Sequence, residues 1–406
     1  MPEDWRLSMT TDRIPILDLQ KQYQQVGTEL EQRIIKVLRS GHYILGDNVR
    51  ELERSVAALC GCRQAVGCAN GTDALILALW ALDIGPGDEV VTTPFTFAAT
   101  AEAIAHRGAR AVFVDIDPLT FNIDASLIEA AVTGRTRALL PVHLYGQPAE
   151  MERIVQVARH HDLKIIEDNA QAIGALYKGK PTGSFGDAGC ISFYPTKNLG
   201  ACGDAGMVVT SDERVAERLR VLRAHGSRVR YHHDELGVNS RLDELQAVAL
   251  LTKLTYLADW NEKRRQVARH YNDLLRDIPG LILPAVAGET TPVWHQYTVR
   301  VESAASAPGV RRDQLAAGLA ARGVDSMCYY PVPLHLQPAF SSLGYKAGDF
   351  PVAERVAAEV LSLPMYPELS RGQIERIAQG IRDVLGAGAL TPVQTPTAAQ
   401  AYPLSS

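Results

Sequence analysis

The strongest constraint on the fold is a regular alternation of strand-like and helix-like segments between residues 64 and 168. Short apolar runs, which predict strands, alternate with longer segments whose apolar residues recur at helical spacing. This alternation predicts an α/β fold with a mostly parallel sheet covered by helices on both faces. The predicted strands are Gln64–Cys68, Glu89–Thr93, Ala111–Asp115, Ala138–His143 and Lys164–Glu167, and the predicted helices are Thr72–Leu82, Ala98–His106, Asp124–Ala131 and Glu150–His161.

The segments that flank this alternation predict further elements of the same fold. Two strands are predicted at Gly189–Phe193 and Gly206–Val209, and no long helix separates them, so we expect an antiparallel strand there. Three more helices are predicted, in which Gly41 closes the first and Asp47 serves as N-cap of the second. They are Leu17–Ser40, Asp47 to near Gly61, and Asp243 to about Arg276.

The chain is expected to divide into two folded units and a tail. Fresh strand and helix signals after about residue 280 predict a second, smaller unit. We assign residues 14–260 to a large domain with N-terminal helices, and residues 261–385 to a small C-terminal α+β domain. Residues 386–406 are rich in Pro, Thr, Ala and Gln without periodicity, a composition that predicts disorder.

The composition excludes several classes of protein. The formal net charge of -5 gives no basic footprint, so we expect no nucleic-acid partner. The N-terminus has no apolar signal region and no apolar run is long enough to cross a bilayer, so we expect no membrane association. The six cysteines form no CxxC pair and show no zinc-ligand spacing with histidine. We therefore expect no metal site and a cytoplasmic protein with reduced thiols.

Two residues with reactive side chains follow predicted strands, at the sheet edge where parallel sheets bind ligands. Asp168 ends the apolar run KIIE, where it could face a ligand or cap the next turn. Lys197 lies in SFYPTKNLG, beside Gly200, Gly203 and Gly206, in a loop whose backbone can approach a ligand closely. A lone lysine is usually a solvated charge. A pyridoxal-phosphate (PLP) enzyme, however, needs a lysine for a Schiff base and an acid on the pyridine nitrogen.

Three further candidates would complete such a site. Gly71 and Thr72 follow a strand and open a helix, where backbone amides and the helix dipole favour a phosphate. The alternative is a plain cap, with Thr72 as N-cap. Phe97 could stack on a flat ring or belong to the core, and Gln171 could reach the ligand of Asp168 or be solvated. Each signal is weak alone, but together they place a phosphate cradle, an acid and a lysine along one sheet.

The sequence resembles the DegT-type sugar aminotransferases, a branch of the fold type I PLP enzymes. The resemblance extends over roughly residues 14–385. It rests on ordered motifs: GHYILGDNVRELE, CANGTDALILAL, DIGPGDEV, VFVDIDPLTFNID, PVHLYGQ, IIEDNAQAIGALYKGK, SFYPTKNLG, HGSRVRYHHDELGVNSRLDELQA and YYPVPLHLQPAF. It implies a seven-stranded type of sheet, PLP as cofactor, and a homodimer with shared active sites.

The resemblance also implies a role for each candidate residue. Lys197 would form the Schiff base and move the proton, while Asp168 pairs with the pyridine nitrogen. The remaining cofactor contacts would be Gln171 at the ring hydroxyl, Phe97 stacked on the ring, Gly71, Thr72 and Ser192 at the phosphate, and Asn239 reaching the phosphate from the neighbouring subunit. Arg241 and His335 are similar to residues that contribute to substrate binding. Two departures, Asn169 in EDNAQA and GDAG at Gly203–Gly206, remove no catalytic group but could shift how substrate packs.

The implied reaction transfers an amino group from an amino acid, by resemblance L-glutamate, to a nucleotide-linked keto-sugar. The stretch HGSRVRYHHDELGVNSRLD is most similar to members that act on 3-keto sugars, so amination at C3 is favoured over C4. Related PLP-dependent sugar dehydratases replace the lysine with histidine, whereas position 197 is lysine. An alternative of another class is a regulatory or sensory binding protein, although no helix-turn-helix with a basic recognition helix is evident.

Overall fold

Eleven α-helices form within residues 13–303 and 308–386, the parts of the chain that the computed structural model describes. No helix in these parts is both long and apolar enough to cross a membrane. The predicted tail after Gly386 lies outside the described residues. The helices are α1 (Leu19–Ser40), α2 (Asp47–Leu59), α3 (Gly71–Ala81), α4 (Ala99–His106), α5 (Met151–His160), α6 (Glu213–Leu222), α7 (Glu244–Leu254), α8 (Leu257–Leu275), α9 (Val310–Ala320), α10 (Pro351–Glu359) and α11 (Arg371–Gly386).

Fifteen strands are found in the same described parts of the chain. They are β1 (Gln64–Cys68), β2 (Glu89–Thr92), β3 (Arg110–Phe113), β4 (Thr136–Leu139), β5 (Lys164–Asp168), β6 (Leu176–Tyr177), β7 (Lys180–Pro181), β8 (Ala188–Ser192), β9 (Gly206–Thr210), β10 (Ser227–Val229), β11 (His232–His233), β12 (Leu281–Ile282), β13 (Thr290–Thr291), β14 (Tyr297–Val301) and β15 (Val360–Leu363).

A seven-stranded sheet with the order β1-β9-β8-β5-β4-β2-β3 forms the centre of the molecule. Strands β2, β3, β4, β5 and β8 pair in parallel, whereas β9 runs antiparallel to both of its neighbours. The predicted α/β class and the expected antiparallel strand are both confirmed. The parallel strands consist largely of buried apolar residues because helices cover both faces.

A smaller α+β unit follows, built on the antiparallel sheet β12-β14-β15. Its apolar core is formed mainly by residues of α8, α9 and α11 together with β14 and β15. Ile14, near the start of the described chain, also packs into this core, and its amide donates to the carbonyl of Gly323 at 2.8 Å. The division at residue 260 therefore stays a proposal, because the chain before α1 contributes to the second core.

Three local predictions are wrong, each because of bonds formed by nearby or distant side chains. Residues 124–131 form turns and one 3₁₀ turn, Glu129–Ala131, since the Asp124 carboxylate accepts the Ser126 amide and favours a turn. The predicted helix from Asp243 to Arg276 is interrupted between α7 and α8, where the Thr255 hydroxyl bonds the carbonyl of Thr252. Asp47 is the first residue of α2 and Gly46 is its N-cap.

The N-terminus of α2 is capped instead by Glu244, the first residue of α7. Its carboxylate accepts the backbone amides of Asn48 at 3.1 Å and Val49 at 3.0 Å. These are two of the amides that a helix leaves without an internal partner. The cap lies about 196 residues away in sequence, so no local pattern could have predicted it.

Candidate active site

A cavity of about 910 Å³ opens at the edge where the central strands end. Residues that follow β1, β2, β4, β5 and β8 line one side, and residues of the smaller unit line the other. The lining includes seven residues that the sequence predicts for the cofactor: Gly71, Thr72, Phe97, Asp168, Gln171, Ser192 and Lys197. The fold thus brings together residues separated by more than 120 positions.

Lys197 lies in the turn after β8, where its backbone amide donates to the carbonyl of Tyr194 at 2.8 Å. Burial lowers the pKa of the Lys197 amine to about 8, and the negative charge of Asp168 acts in the opposite direction. A lysine amine with a pKa near neutrality exists partly as the free base, the form that attacks an aldehyde. The position and the pKa both suit a nucleophilic amine.

Asp168 ends β5 and is buried at the base of the cavity. The Thr100 hydroxyl donates to its Oδ2 at 2.8 Å, and the Ala170 amide donates to its Oδ1 at 3.2 Å. Desolvation raises the pKa of this carboxyl, while the two hydrogen bonds and the positive charge of Lys197 lower it. Asp168 forms no salt bridge among the described residues, and Lys197 acts on it only through its charge. Its charge is therefore available to a cation brought by a ligand.

The phosphate cradle lies where the N-terminus of α3 meets the end of β8. Asn70 is the N-cap of α3, and its side chain accepts the Asp73 amide at 2.8 Å. The alternative in which Thr72 is the cap is therefore wrong, and Thr72 belongs to the first turn. The Asp73 amide is taken by this cap, whereas the Gly71 and Thr72 amides have no partner within the helix, which favours an anion. A Cβ on Gly71 would come within 2.6 Å of the Ser192 Cβ, so only glycine fits.

These donors fit PLP. The free first-turn amides of α3 and the hydroxyls of Thr72 and Ser192 match a phosphate dianion. A buried carboxylate with a free charge matches a protonated ring nitrogen, and a partly neutral lysine matches an aldehyde. The cavity volume falls within the 300–1,000 Å³ that is typical of small-molecule sites, about 910 Å³ being toward the upper end.

Gly71→Ala should weaken cofactor binding without unfolding the protein. The added methyl group must displace Ser192 or the start of α3, which disturbs the phosphate contacts. Loss of one or two charge-assisted hydrogen bonds predicts a rise in the cofactor dissociation constant of roughly 10- to 100-fold. Titration of the apoprotein with PLP measures this. Gly372→Ala is the matched control, because a Cβ there meets no atom within 4 Å, and unchanged binding in both variants would contradict the assignment.

Phe97 and Gln171 line the part of the cavity that meets Tyr330 of the smaller unit. Phe97 is 57% exposed, and its ring lies 6.1 Å from that of Tyr330 across the cavity. Gln171 lies beside them, where its Oε1 accepts the Tyr145 amide at 2.6 Å and its Nε2 donates to the Tyr330 hydroxyl at 3.3 Å. Phe97 is therefore free to stack on a ligand, while Gln171 already has partners on both atoms of its amide.

Three predicted residues are not brought to this cavity within one chain. Asn239 is exposed and forms an antiparallel bridge with Ala224 outside the cavity lining. Arg241 is half-buried and does not line the cavity either. His335 is buried, and its Nε2 lies 3.0 Å from the Glu354 carboxylate. An exposed Asn239 is compatible with reaching a second subunit, whereas His335 is held within its own.

Three further residues at or near the cavity could not be predicted from the sequence. Thr100, which bonds Asp168, lies in an alanine-rich helix and is marked only by its spacing of four from Thr96, to whose hydroxyl it lies at 3.0 Å. His295 lines the cavity from the smaller unit and Arg264 lines it from α8, and neither lies in a sequence motif that predicts the site. Their identification required the tertiary structure.

One group of potential metal ligands lies elsewhere on the surface. Glu129, His160 and His161 place ligand atoms within 4.8 Å of one another. None of the three lines the cavity described above. The expectation of an active site without metal stays a prediction.

Comparison with known proteins identifies close relatives over nearly the whole chain. Residues 24–382 match the DegT/DnrJ/EryC1/StrS aminotransferase family. The chain is 49% identical over 372 residues to the UDP-N-acetyl-3-dehydro-alpha-D-glucosamine 3-aminotransferase of Acidithiobacillus ferrooxidans, covering 92% of this chain and 98% of that protein. It is 51% identical over 375 residues to a protein of Geobacillus stearothermophilus named Pleiotropic regulatory protein, covering 91% and 99%.

Solved structures agree with this relationship. The crystal structure of Streptomyces venezuelae DesV in complex with a ketimine intermediate superposes with a TM-score of 0.89 at 45% identity, covering 94% of this chain and all of that chain. NtdA of Bacillus subtilis, solved with bound cofactor PMP, superposes with a TM-score of 0.83 at 32% identity, covering 89% and 82%. At these identities the likeness extends beyond the fold to the family.

Proposed function

This chain belongs to the DegT/DnrJ/EryC1/StrS aminotransferase family, and we propose that it transfers an amino group from L-glutamate to C3 of a nucleotide-linked keto-sugar. It is a PLP-dependent aminotransferase. The observation that carries the proposal is that Lys197 and the buried Asp168 line one cavity that also holds an anion cradle. The preference for C3 is supported by the A. ferrooxidans relative, whose name specifies a 3-aminotransferase.

Each residue of the site has a separate proposed role in the reaction. When bound, PLP supplies an aldehyde that accepts the amino group and a ring that withdraws electrons from the carbon losing its proton. The first turn of α3 and Ser192 would hold the phosphate of PLP. Asp168 would keep the ring nitrogen protonated by its negative charge. The Lys197 Nζ would act as general base and acid, taking a proton from one carbon and returning it to another.

The proposal is tested by incubating the purified enzyme with glutamate and a panel of nucleotide-linked 3-keto and 4-keto sugars, with mass detection of the amine. Amination of a 3-keto sugar supports it. A product formed only from 4-keto sugars would move the reaction to C4. If no sugar of the panel is aminated, the proposed keto-sugar acceptor is wrong.

A regulatory role is the second candidate, because one relative at 51% identity carries a regulatory name. A regulator without catalysis has no need of a buried acid opposite a lysine of lowered pKa. Visible absorbance discriminates the two, since a PLP enzyme is coloured after purification. A colourless protein that gains no colour on incubation with PLP would favour the regulator.

We further propose that the enzyme is a homodimer whose subunits share their active sites through Asn239. If so, coexpression of Lys197→Ala with Asn239→Ala subunits should restore activity, because one site of the hybrid keeps both residues. About a quarter of wild-type turnover is expected, since half of randomly paired dimers are hybrids with one intact site of two. Steady-state assay of the mixture measures this.

The matched control pairs Lys197→Ala with Asp168→Asn. Both residues line the cavity of a single chain, so every site of this hybrid carries one lesion and no activity should return. Restoration in the control, or its absence in the Asn239 mixture when the Asn239→Ala enzyme alone is impaired, would contradict sharing. The proposed cytoplasmic location is favoured by six free cysteines among the described residues.

A further inference from the structure

Arg264 of α8 lines the cavity and forms no salt bridge with a carboxylate of the described residues, although the charge of Glu368 acts on it. Its side chain is only 3% exposed, and no carboxylate lies within ion-pair distance of it among the described residues. Its Nη1 donates to the backbone carbonyls of Trp294, His295 and Met365, at 3.2, 3.4 and 2.8 Å. Its Nε is buried without any hydrogen-bond partner. A buried guanidinium with an unpaired N–H group can donate hydrogen bonds to a ligand.

The protonation of His295, beside Arg264, follows from a chain of hydrogen bonds. The Asn261 amide nitrogen donates to the carbonyl of Ile173 at 3.2 Å, so its Oδ1 is an acceptor. The Asn198 amide nitrogen donates to that Oδ1 and to the carbonyl of Val293, both at 2.9 Å. Reversing either amide would place oxygen against oxygen, so both orientations are fixed.

Asn198 therefore presents its Oδ1 to the His295 Nδ1, 3.2 Å away. Two acceptors cannot face each other, so Nδ1 must carry the proton. Burial, the charge of Lys197 and the charge of Arg264 all lower the pKa of His295, which keeps the ring neutral. The Nε2 of this cavity-lining ring is then an unprotonated acceptor. His295 also experiences both cations of the cavity, so Arg264 and Lys197 lie around the same ring.

We infer that Arg264 and His295 form the subsite for the amino donor, in which Arg264 binds a carboxylate and the His295 Nε2 accepts a hydrogen bond from the donor's ammonium group. An α-amino acid carries both groups on one carbon, so the pair recognises it as a unit. A carboxylate matches the planar donors of a guanidinium better than any neutral group does. The inference rests on the proposed function only in taking an amino acid as the donor.

The burial of Arg264 favours a carboxylate over the diphosphate of a nucleotide. Arg264 is almost fully enclosed, between the segments before β14 and after β15. A carboxylate is small and planar, so it can approach a buried guanidinium more closely than a diphosphate, which brings two bulky tetrahedral groups. Burial lowers the pKa of Arg264 to about 10, and Glu368 acts in the opposite direction, so it remains cationic at neutral pH.

The two half-reactions separate donor binding from acceptor binding. Glutamate converts the PLP enzyme to its pyridoxamine phosphate form, and the keto-sugar converts it back, so each step can be followed alone by absorbance in single-turnover experiments. Arg264→Met should slow the glutamate step at least about 30-fold at low glutamate, the loss expected for one charge-assisted pair. The rate of the second half-reaction, in which the keto-sugar converts the pyridoxamine phosphate enzyme back to the PLP form, should change less than about threefold.

Arg264→Lys should recover part of the glutamate step, because it keeps the charge but loses the planar fork. Arg265→Met is the matched control, since Arg265 is the next residue of α8, pairs with Glu262 and does not line the cavity. It should leave both steps unchanged. Because both steps are measured on the same folded enzyme, their ratio is unaffected by any loss of stability when the bonds of Arg264 to backbone are removed.

Binding without turnover gives a second readout. Maleate, a dicarboxylate that cannot be transaminated, should perturb the cofactor spectrum of wild-type enzyme and should bind at least about tenfold more weakly to Arg264→Met. Equal losses in both half-reactions would assign Arg264 a structural role and overturn the inference. A loss confined to the sugar step would assign it to the diphosphate and overturn it as well. If every sugar fails, the glutamate step still tests the subsite.

Discussion

Lys197→Ala should lower the rate of sugar amination by at least about four powers of ten. The substitution removes both the amine that holds the cofactor covalently and the base that moves the proton, and general acid–base catalysis alone contributes up to about 10⁴-fold. Cofactor should still bind, because the phosphate cradle and Asp168 remain. Steady-state assay with glutamate and a keto-sugar measures the rate of amination, and equilibrium dialysis measures the retained PLP.

Lys253→Met is the control for this substitution. Lys253 is buried nearby, and its Nζ donates to the carbonyl of Gly200 at 2.8 Å in the loop that follows Lys197. Burial lowers the pKa of this amine too, but Lys253 does not line the cavity. Its loss should cost about 1–3 kcal/mol of stability, from the unsatisfied carbonyl, and leave turnover nearly unchanged. The opposite pattern would assign the reacting lysine to position 253.

Asp168→Asn should be the second most damaging change, with proton abstraction slowed by roughly 10²- to 10³-fold, the range seen when one electrostatic contact to developing charge is removed. The amide keeps the shape of the carboxylate but cannot hold the ring nitrogen protonated. Unlike Lys197→Ala, this variant should keep the cofactor covalently attached. Rapid-mixing absorbance with glutamate gives the rate constant.

A second variant, Thr100→Val, separates the effect of the Asp168 charge from the effect of the hydrogen bond that positions it. Thr100→Val removes the hydroxyl that donates to Oδ2 and leaves the carboxylate in place. We expect a loss of about tenfold, the equivalent of one hydrogen bond to a charged group. If Asp168→Asn were no worse than Thr100→Val, the ring-nitrogen role of Asp168 would be wrong.

The fold was largely predictable because its dominant signal is local. Each central strand is a short apolar run and each covering helix has helical periodicity, so the α/β class and the antiparallel strand at Gly206–Thr210 follow from the sequence. The errors lie where a distant or competing side chain decides. The Glu244 cap of α2 comes from another helix, and the break between α7 and α8 lies where the Thr255 hydroxyl bonds the carbonyl of Thr252. Neither interaction leaves a periodic signal.

The site divides in the same way. Lys197, Asp168 and the Gly71–Thr72 turn follow strands, so the rule that ligands bind at strand ends predicts that they converge. Arg264 and His295 come from a helix and a segment before β14, and nothing in their neighbourhood distinguishes them from solvated or core residues. Asn239, by contrast, is predicted from the sequence, but its proposed role depends on a second chain and remains a prediction.

Borohydride reduction followed by tryptic mapping tests the assignment of Lys197 most directly. Reduction fixes the cofactor permanently to the lysine that holds it. Trypsin cannot cut after a modified lysine, so a label at Lys197 should join residues 179–197 and 198–214 into one tagged peptide spanning 179–214. That peptide is the predicted result. A tag on the peptide that contains Lys253, or on Lys178 or Lys180, would contradict the account and remove the basis for the site built around Lys197.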